Sequence, residues 1–85
     1  MKFKAEIDVM PHDALLDPQG KAVTQAMGTI GLDQIHEVRI GRHIRMVVEA
    51  TDEKSAEIMV EEACKKMLAN AIMESYSFSI ETYTA

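Results

Sequence analysis

One cysteine, no tryptophan, two prolines and four glycines stand among the 85 residues of this chain, and phenylalanine and tyrosine occur twice each. The single Cys64 cannot close an intramolecular disulfide. Basic residues are also scarce, with nine Lys and Arg against 14 Asp and Glu and a formal charge of −5. Nucleic-acid affinity rests on cationic contacts to phosphate, so this balance argues against DNA or RNA as a partner and disfavours an acidic substrate. No apolar run approaches the about 18 residues of a membrane helix, and no basic, apolar, small-residue leader opens the chain. A soluble, cytoplasmic protein with no membrane partner is the expectation.

What is present fits one small domain, residues 1–85, with 47% hydrophobic side chains. A chain of this size buries only about 60 to 65% of its unfolded surface. A core that thin leaves little room for an enclosed active site and makes association with another subunit the expectation.

Apolar periodicity lays out the elements. From Lys2 to Met10 the residues alternate, with Phe3, Ala5, Ile7 and Val9 on one face and Lys4, Glu6 and Asp8 on the other, as a half-buried strand requires; Pro11 closes it. After Asp17 the period becomes helical, with Ala22, Val23, Ala26, Met27 and Ile30 on one stripe and Gly31 as the C-terminal cap. Ile35 to Ala50 returns to period two around Gly41. A three-residue loop of Gly41, Arg42 and His43 would set Ile40 opposite Ile44 and Val38 opposite Met46, so a hairpin is expected. Thr51 or Asp52 caps a second helix in which Ala56, Met59, Val60, Ala63, Cys64, Met67 and Leu68 share a face, and Asn70 suits its exit. Tyr76, Phe78 and Ile80 then alternate with Ser77, Ser79 and Glu81 in a last strand. The order β-α-β-β-α-β predicts an α+β, ferredoxin-like, two-layer sandwich with two helices on one face of a four-stranded antiparallel sheet.

Few residues offer chemistry. The stretch Asp17, Pro18, Gln19, Gly20 resembles a phosphate-cradling helix start, but Asp17 is a good N-cap and sits where an anion would bind, and no second glycine or P-loop spacing is present. A helix start explains all four residues. His12, His36 and His43 lack the spacing of metal ligands and there is no C-x-x-C pair, so no metal site is expected. Cys64 falls on an apolar stripe as a buried thiol, and Met27, Met59 and Met67 are read as core residues. Glu57, Glu61 and Glu62 lie on the solvent side of the second helix, without the apolar enclosure that acid–base catalysis needs. The open sheet face reads Lys4, Glu6, Arg39, Arg45, Glu49, Ser77 and Glu81, with Tyr83 as its one aromatic, which argues against RNA stacking. Arg39, Arg42 and Arg45, the only arginines, cluster beside His43. Docking of a partner or a phosphate, and internal pairing with Glu37 and Glu49, stand as equal explanations.

Taken together, "LDPQGKAV", "VRIGRHI" and "KKMLANAIMESYSFSIE", in this order and spacing, resemble the PurS family, the small subunit of phosphoribosylformylglycinamidine synthase in purine biosynthesis. The resemblance runs from the first strand to Glu81; one departure is Ala71, where family members commonly have Pro after Leu-Ala-Asn. It implies a non-catalytic subunit of a glutamine- and ATP-dependent carbon–nitrogen ligase, with no catalytic residue and no cofactor in this chain. Its implied partners are a large synthetase subunit, which would hold ATP and magnesium and act on formylglycinamide ribonucleotide, and a glutaminase subunit that supplies ammonia. The small subunit is expected as a homodimer, with a tetramer as the further alternative, and helps bring the other two together. Asp17, Pro18, Gln19, Gly20, Arg39, Arg42, Arg45 and Asn70 are the candidate interface residues. The alternative is a homodimeric amino-acid-sensing domain of the ACT type, against which stands the lack of a glycine in the loop from Pro11 to Leu16. A small acyl phosphate hydrolase would need an arginine in that same loop, and there is none.

Overall fold

A computed structural model describes residues 1–84, so the last residue of the expected domain lies outside the described residues. Strand β1 (Lys2–Pro11), helix α1 (Pro18–Thr29), strand β2 (Arg42–Glu49), helix α2 (Glu53–Ala63) and strand β3 (Glu74–Thr82) follow in order, with a single π-helical turn, Cys64–Leu68, extending α2. The strands form one antiparallel sheet in the order β2-β1-β3.

The alternation of β1 is realised as read. Its inward residues Phe3, Ala5, Ile7 and Val9 are all buried, with Ile7 fully inaccessible. Each large aliphatic side chain buried in this way is worth about 1.5–3 kcal/mol. Register follows the same face: Ile7 lies opposite Ile44 on one side and Phe78 on the other, and Ala5 opposite Met46 and Ile80. Helix α2 covers this face with Ala56, Val60 and Cys64. Asp52 starts α2 by accepting the Ser55 amide at 2.8 Å.

The inward residues of α2 recur every four positions, at Ala56, Val60, Cys64 and Leu68. Each such step overshoots a full turn of α-helix by about 40°. The wider turn closed by Ala69 N–H donating to Cys64 O, 3.0 Å, absorbs that drift and keeps Leu68 packed on the core. The stripe is therefore narrower than the sequence suggests: Met59 and Met67 are exposed rather than core, Met67 at 84%.

Two larger expectations are corrected. The sheet has three strands among the described residues, not four, and the hairpin around Gly41 does not form. Its first arm is diverted because Glu37 takes a left-handed conformation, φ 53°, and because the amides of Val38 and Ile40 donate to side chains of α1 instead of to a strand. Gly41 passes so close to β1 that an added Cβ would overlap the Val9 carbonyl oxygen and the Met10 sulfur, so β2 runs on directly to pair with β1. Helix α1, the second correction, does not pack on the sheet, and Gly20 is its one buried residue.

Candidate functional site

The loop after β1, the N-terminus of α1, the segment from Glu37 to Ile40 and the turn before β3 meet at one end of the sheet. Asp17 joins two of them. Its Oδ1 accepts the Gly20 amide at 3.0 Å, capping α1, while its Oδ2 accepts the Ile40 amide at 2.8 Å. These backbone donors, Gly20 first and then Ile40, hold the Asp17 carboxyl below its ordinary range. Thr24 repeats the arrangement one turn on: its hydroxyl donates to Gly20 O at 2.9 Å and accepts the Val38 amide at 3.0 Å. Gly20 is pressed between these partners, and a Cβ there would overlap Val38 O and the Asp17 carboxylate. The glycine of the opening motif thus serves close backbone approach, and the capping carboxylate occupies the amide that an anion would use. Pro18 and Gln19 stand exposed in the first turn.

The three arginines do not form one patch. Arg39 reaches into the loop after β1 and donates to Leu15 O at 3.1 Å and His12 O at 2.7 Å, leaving a buried Nε without a partner among the described residues. The arginine that a phosphate-binding loop would need therefore arrives from another segment, but both its terminal nitrogens are committed to carbonyl oxygens. Arg42 makes a two-pronged contact with Glu74 at 2.7 and 3.1 Å and also donates to Leu68 O at 2.7 Å. Glu74 in turn accepts the Asn70 amide at 2.9 Å, and Asn70 turns the chain by accepting the Ile72 amide on its own side chain. Arg42, ahead of the Asn70 amide, holds the Glu74 carboxyl low. His12 N–H donating to Met73 O at 2.9 Å ties this turn to the loop.

Arg45 lies elsewhere, on the open sheet face, where its Nε donates to Glu6 at 2.8 Å. His43 stands between Asp8, 2.7 Å from Nδ1, and Glu6, 3.0 Å from Nε2, so protonated histidine is favoured and its pKa rises. Arg45 and then His43 pull the Glu6 carboxyl down to about 2. Lys4 pairs with Glu81 at 3.1 Å on the same face. The acidic partners of the arginines are Glu74 and Glu6, not Glu37 and Glu49, and Arg39 does not lie on this face as expected.

Asp17, which holds the Gly20 amide, and Arg39 both border an open cleft of about 970 Å3 whose lining mixes Asp13, Asp17 and Glu37 with Lys21 and Arg39. Arg42 and Asn70 join a neighbouring node, and Arg45 stands apart. Sequence reasoning missed Thr24, His12 and Glu74, whose partners lie far along the chain. The chemistry of this end is that of a hydrogen-bonded polar junction rimmed by exposed apolar side chains, Leu16 at 76%, Ile72 at 85% and Met73. Such a combination suits contact with another protein.

Known proteins show the same pattern over the same length. Residues 4–82 match the family model described as "PurS: Phosphoribosylformylglycinamidine (FGAM) synthase". The phosphoribosylformylglycinamidine synthase subunit PurS of Synechocystis is 36% identical over 92% of this chain and 78% of its own, and that of Bacillus subtilis is 32% identical over 98% of both. A chain in the structure of PurLQS from Thermotoga maritima superposes with a TM-score of 0.88 at 27% identity, covering 95% of this chain and 99% of that one. A match of this extent, on a fold with a helix-start junction at Asp17–Gly20 and a single covering helix, leaves one assignment: the chain belongs to the PurS family of phosphoribosylformylglycinamidine synthase subunits.

Proposed function

We propose that this chain is the small subunit of phosphoribosylformylglycinamidine synthase in purine biosynthesis and works by assembling the synthetase and glutaminase subunits. The observation that carries this is the near full-length family match, residues 4–82, together with the likeness to a chain of the PurLQS structure. ATP and magnesium belong to the synthetase subunit, which amidates formylglycinamide ribonucleotide with ammonia released from glutamine by the glutaminase. The small subunit acts as a homodimer. Its docking surface is the end of the sheet carrying Asp17, Pro18, Gln19, Gly20, Arg39, Arg42 and Asn70, where a hydrogen-bonded junction keeps Leu16, Ile72 and Met73 presented to a partner. Arg45 belongs to a different surface.

Reconstitution tests this assignment. The three subunits mixed with ATP and magnesium are expected to form product with glutamine as nitrogen donor, and omission of this chain is expected to abolish that activity while ammonia-driven synthesis suffers less. Replacing Leu16 and Ile72 with Glu is expected to weaken complex formation on a sizing column. Full glutamine-dependent activity without this chain would refute the assembly role.

A further inference from the structure

Seven methionines and one cysteine carry the sulfur of this chain, and they differ in reactivity. Cys64 is fully buried in the core, where burial, and then the Glu61 carboxylate, push its thiol up. The reactive form of cysteine is the thiolate, so this sulfur is shielded twice. A thioether has no proton to lose, and access decides its oxidation. Met67, 84% exposed, and Met73, 53% exposed, are open to solvent, whereas Met46 is half-buried against the core.

Accessible sulfur collects at the docking end of the sheet. Met73 directly precedes Glu74, the two-pronged partner of Arg42, and Met67 directly precedes Leu68, whose carbonyl oxygen takes the same arginine. The main chain of Met73 is held on both sides: its carbonyl oxygen accepts the His12 amide at 2.9 Å, and its own amide donates to Asn70 O at 3.0 Å. The side chain, in contrast to that of Met67, lines a small open cavity of about 330 Å3 together with Pro11, Leu15, Leu16, Asn70 and Glu74. Four of these six residues are apolar, and Met73 also belongs to the exposed apolar rim with Leu16 and Ile72.

We propose that Met73 is a reversible oxidation site that controls docking of this chain on the larger subunits. The proposal rests on the assembly role and adds a control acting on the same surface. In the forward step the sulfur gives two electrons to hydrogen peroxide and the O–O bond breaks; one oxygen becomes the sulfoxide oxygen and the other leaves as water with both protons. In the return step a dithiol supplies two electrons and two protons through a sulfoxide reductase, giving back the thioether, water and a disulfide. The sulfoxide turns an adaptable apolar contact into a polar one. Its oxygen is a hydrogen-bond acceptor, and docking would strip it of water beside the Glu74 carboxylate, which is an acceptor too.

The test oxidises this chain alone. It is treated with hydrogen peroxide, the excess is destroyed with catalase, each methionine is read by peptide mass mapping, and the chain is then titrated into untreated synthetase and glutaminase subunits. Met67 and Met73 are expected to gain one oxygen each at a dose that leaves Met46 reduced. The concentration giving half-maximal glutamine-dependent activity should rise about 10-fold or more, as for an unpaired polar group buried in a contact. Sulfoxide reductase with dithiothreitol should bring it back. Far-UV circular dichroism of the treated chain should be unchanged, because Met73 lies outside the core. Two variants locate the effect, each compared with its own untreated protein: Met73→Leu should lose the response to peroxide, and Met67→Leu should keep it. A Met73 that stays reduced while Met67 oxidises, a midpoint unmoved by the Met73 sulfoxide, unfolding of the treated chain, or a full response in Met73→Leu overturns the inference and leaves the assembly role standing. Full glutamine-dependent activity without this chain refutes the assembly role, and the inference falls with it.

Discussion

Gly20→Ala is a sharp test of the junction, because helix propensity and packing predict opposite signs. In an ordinary helical position the change would stabilise by about 0.5–1 kcal/mol. At Gly20 the new methyl group meets the Val38 carbonyl oxygen and the Asp17 carboxylate, and neither is the loose end of a flexible chain. Val38 O belongs to main chain held by the Thr24 hydroxyl and the neighbouring Ile40 amide, and Asp17 is fixed by two amides. Overpacking against such partners costs about 1–3 kcal/mol. Once the propensity gain is subtracted, a net destabilisation of about 1 kcal/mol remains at mid-range, and at most about 2.5 kcal/mol. Because the junction lies outside the main core, hydrogen exchange of the Val38 and Ile40 amides is the sensitive assay, with a urea midpoint as the global readout. Gly28→Ala serves as the control. Gly28 is exposed in the same helix, and its added Cβ would sit 3.3 Å from the Asp33 carboxylate, an exposed side chain able to move aside. That variant is expected to be neutral or stabilised by up to about 1 kcal/mol. A Gly20→Ala protein as stable as the wild type, with Val38 and Ile40 protected as before, would refute the argument.

Other outcomes follow from the same geometry. NMR titration of His43 should give a midpoint above 6.5, because Asp8 and then Glu6 stabilise its charged form; the stability it contributes is present below about pH 6.5 and is lost as the pH rises through the folded value. Glu6 has the opposite sign, its contribution being present above 4.5 and lost as the pH falls towards about 2, so Glu6→Gln should flatten acid unfolding in that window. Tyr76, whose hydroxyl donates to Glu61, should ionise only at about 12, and Tyr76→Phe should remove that step from the ultraviolet titration. Arg42→Lys should lower the melting temperature nearly as much as Arg42→Ala, since an ammonium cannot span both Glu74 oxygens and Leu68 O; full rescue by lysine would count against the three-contact geometry. Phosphate and ATP should give the isolated chain no thermal protection, because Asp17 already takes the Gly20 amide.

Local patterns were legible and long-range partners were not. Alternation in β1 and β3 and the caps at Asp17 and Asp52 could be read directly, because each is satisfied within a few residues by its own period or its own helix. The expected fourth strand does not form because Val38 and Ile40 carry a strand's apolar pattern while their amides are claimed by Thr24 and Asp17, residues 14 and 23 positions earlier. Periodicity reports which face of a segment is apolar, not what will cover it, and so it predicts α1 on a sheet that the helix does not reach. The arginines show the same limit. Three of them within seven residues suggested one patch, but alternation along β2 and the turn before it sends Arg39, Arg42 and Arg45 to three different partners.

The sheet order has a consequence for how the chain is made. Strand β1 is the centre of the sheet, yet Phe3 pairs with Val48 and Thr82, so the earliest of these three strands to be synthesised is the last to be flanked on both sides. At about 5–20 residues per second, Phe3, Ile7 and Val9 wait roughly 4 to 16 s for β3 to be synthesised. During that interval the chain exposes an apolar strand edge that invites pairing with other nascent chains. Lys4, Glu6 and Asp8, which interrupt that strand at every second position, keep it soluble in the meantime, so their charges protect the protein before there is a fold for them to stabilise.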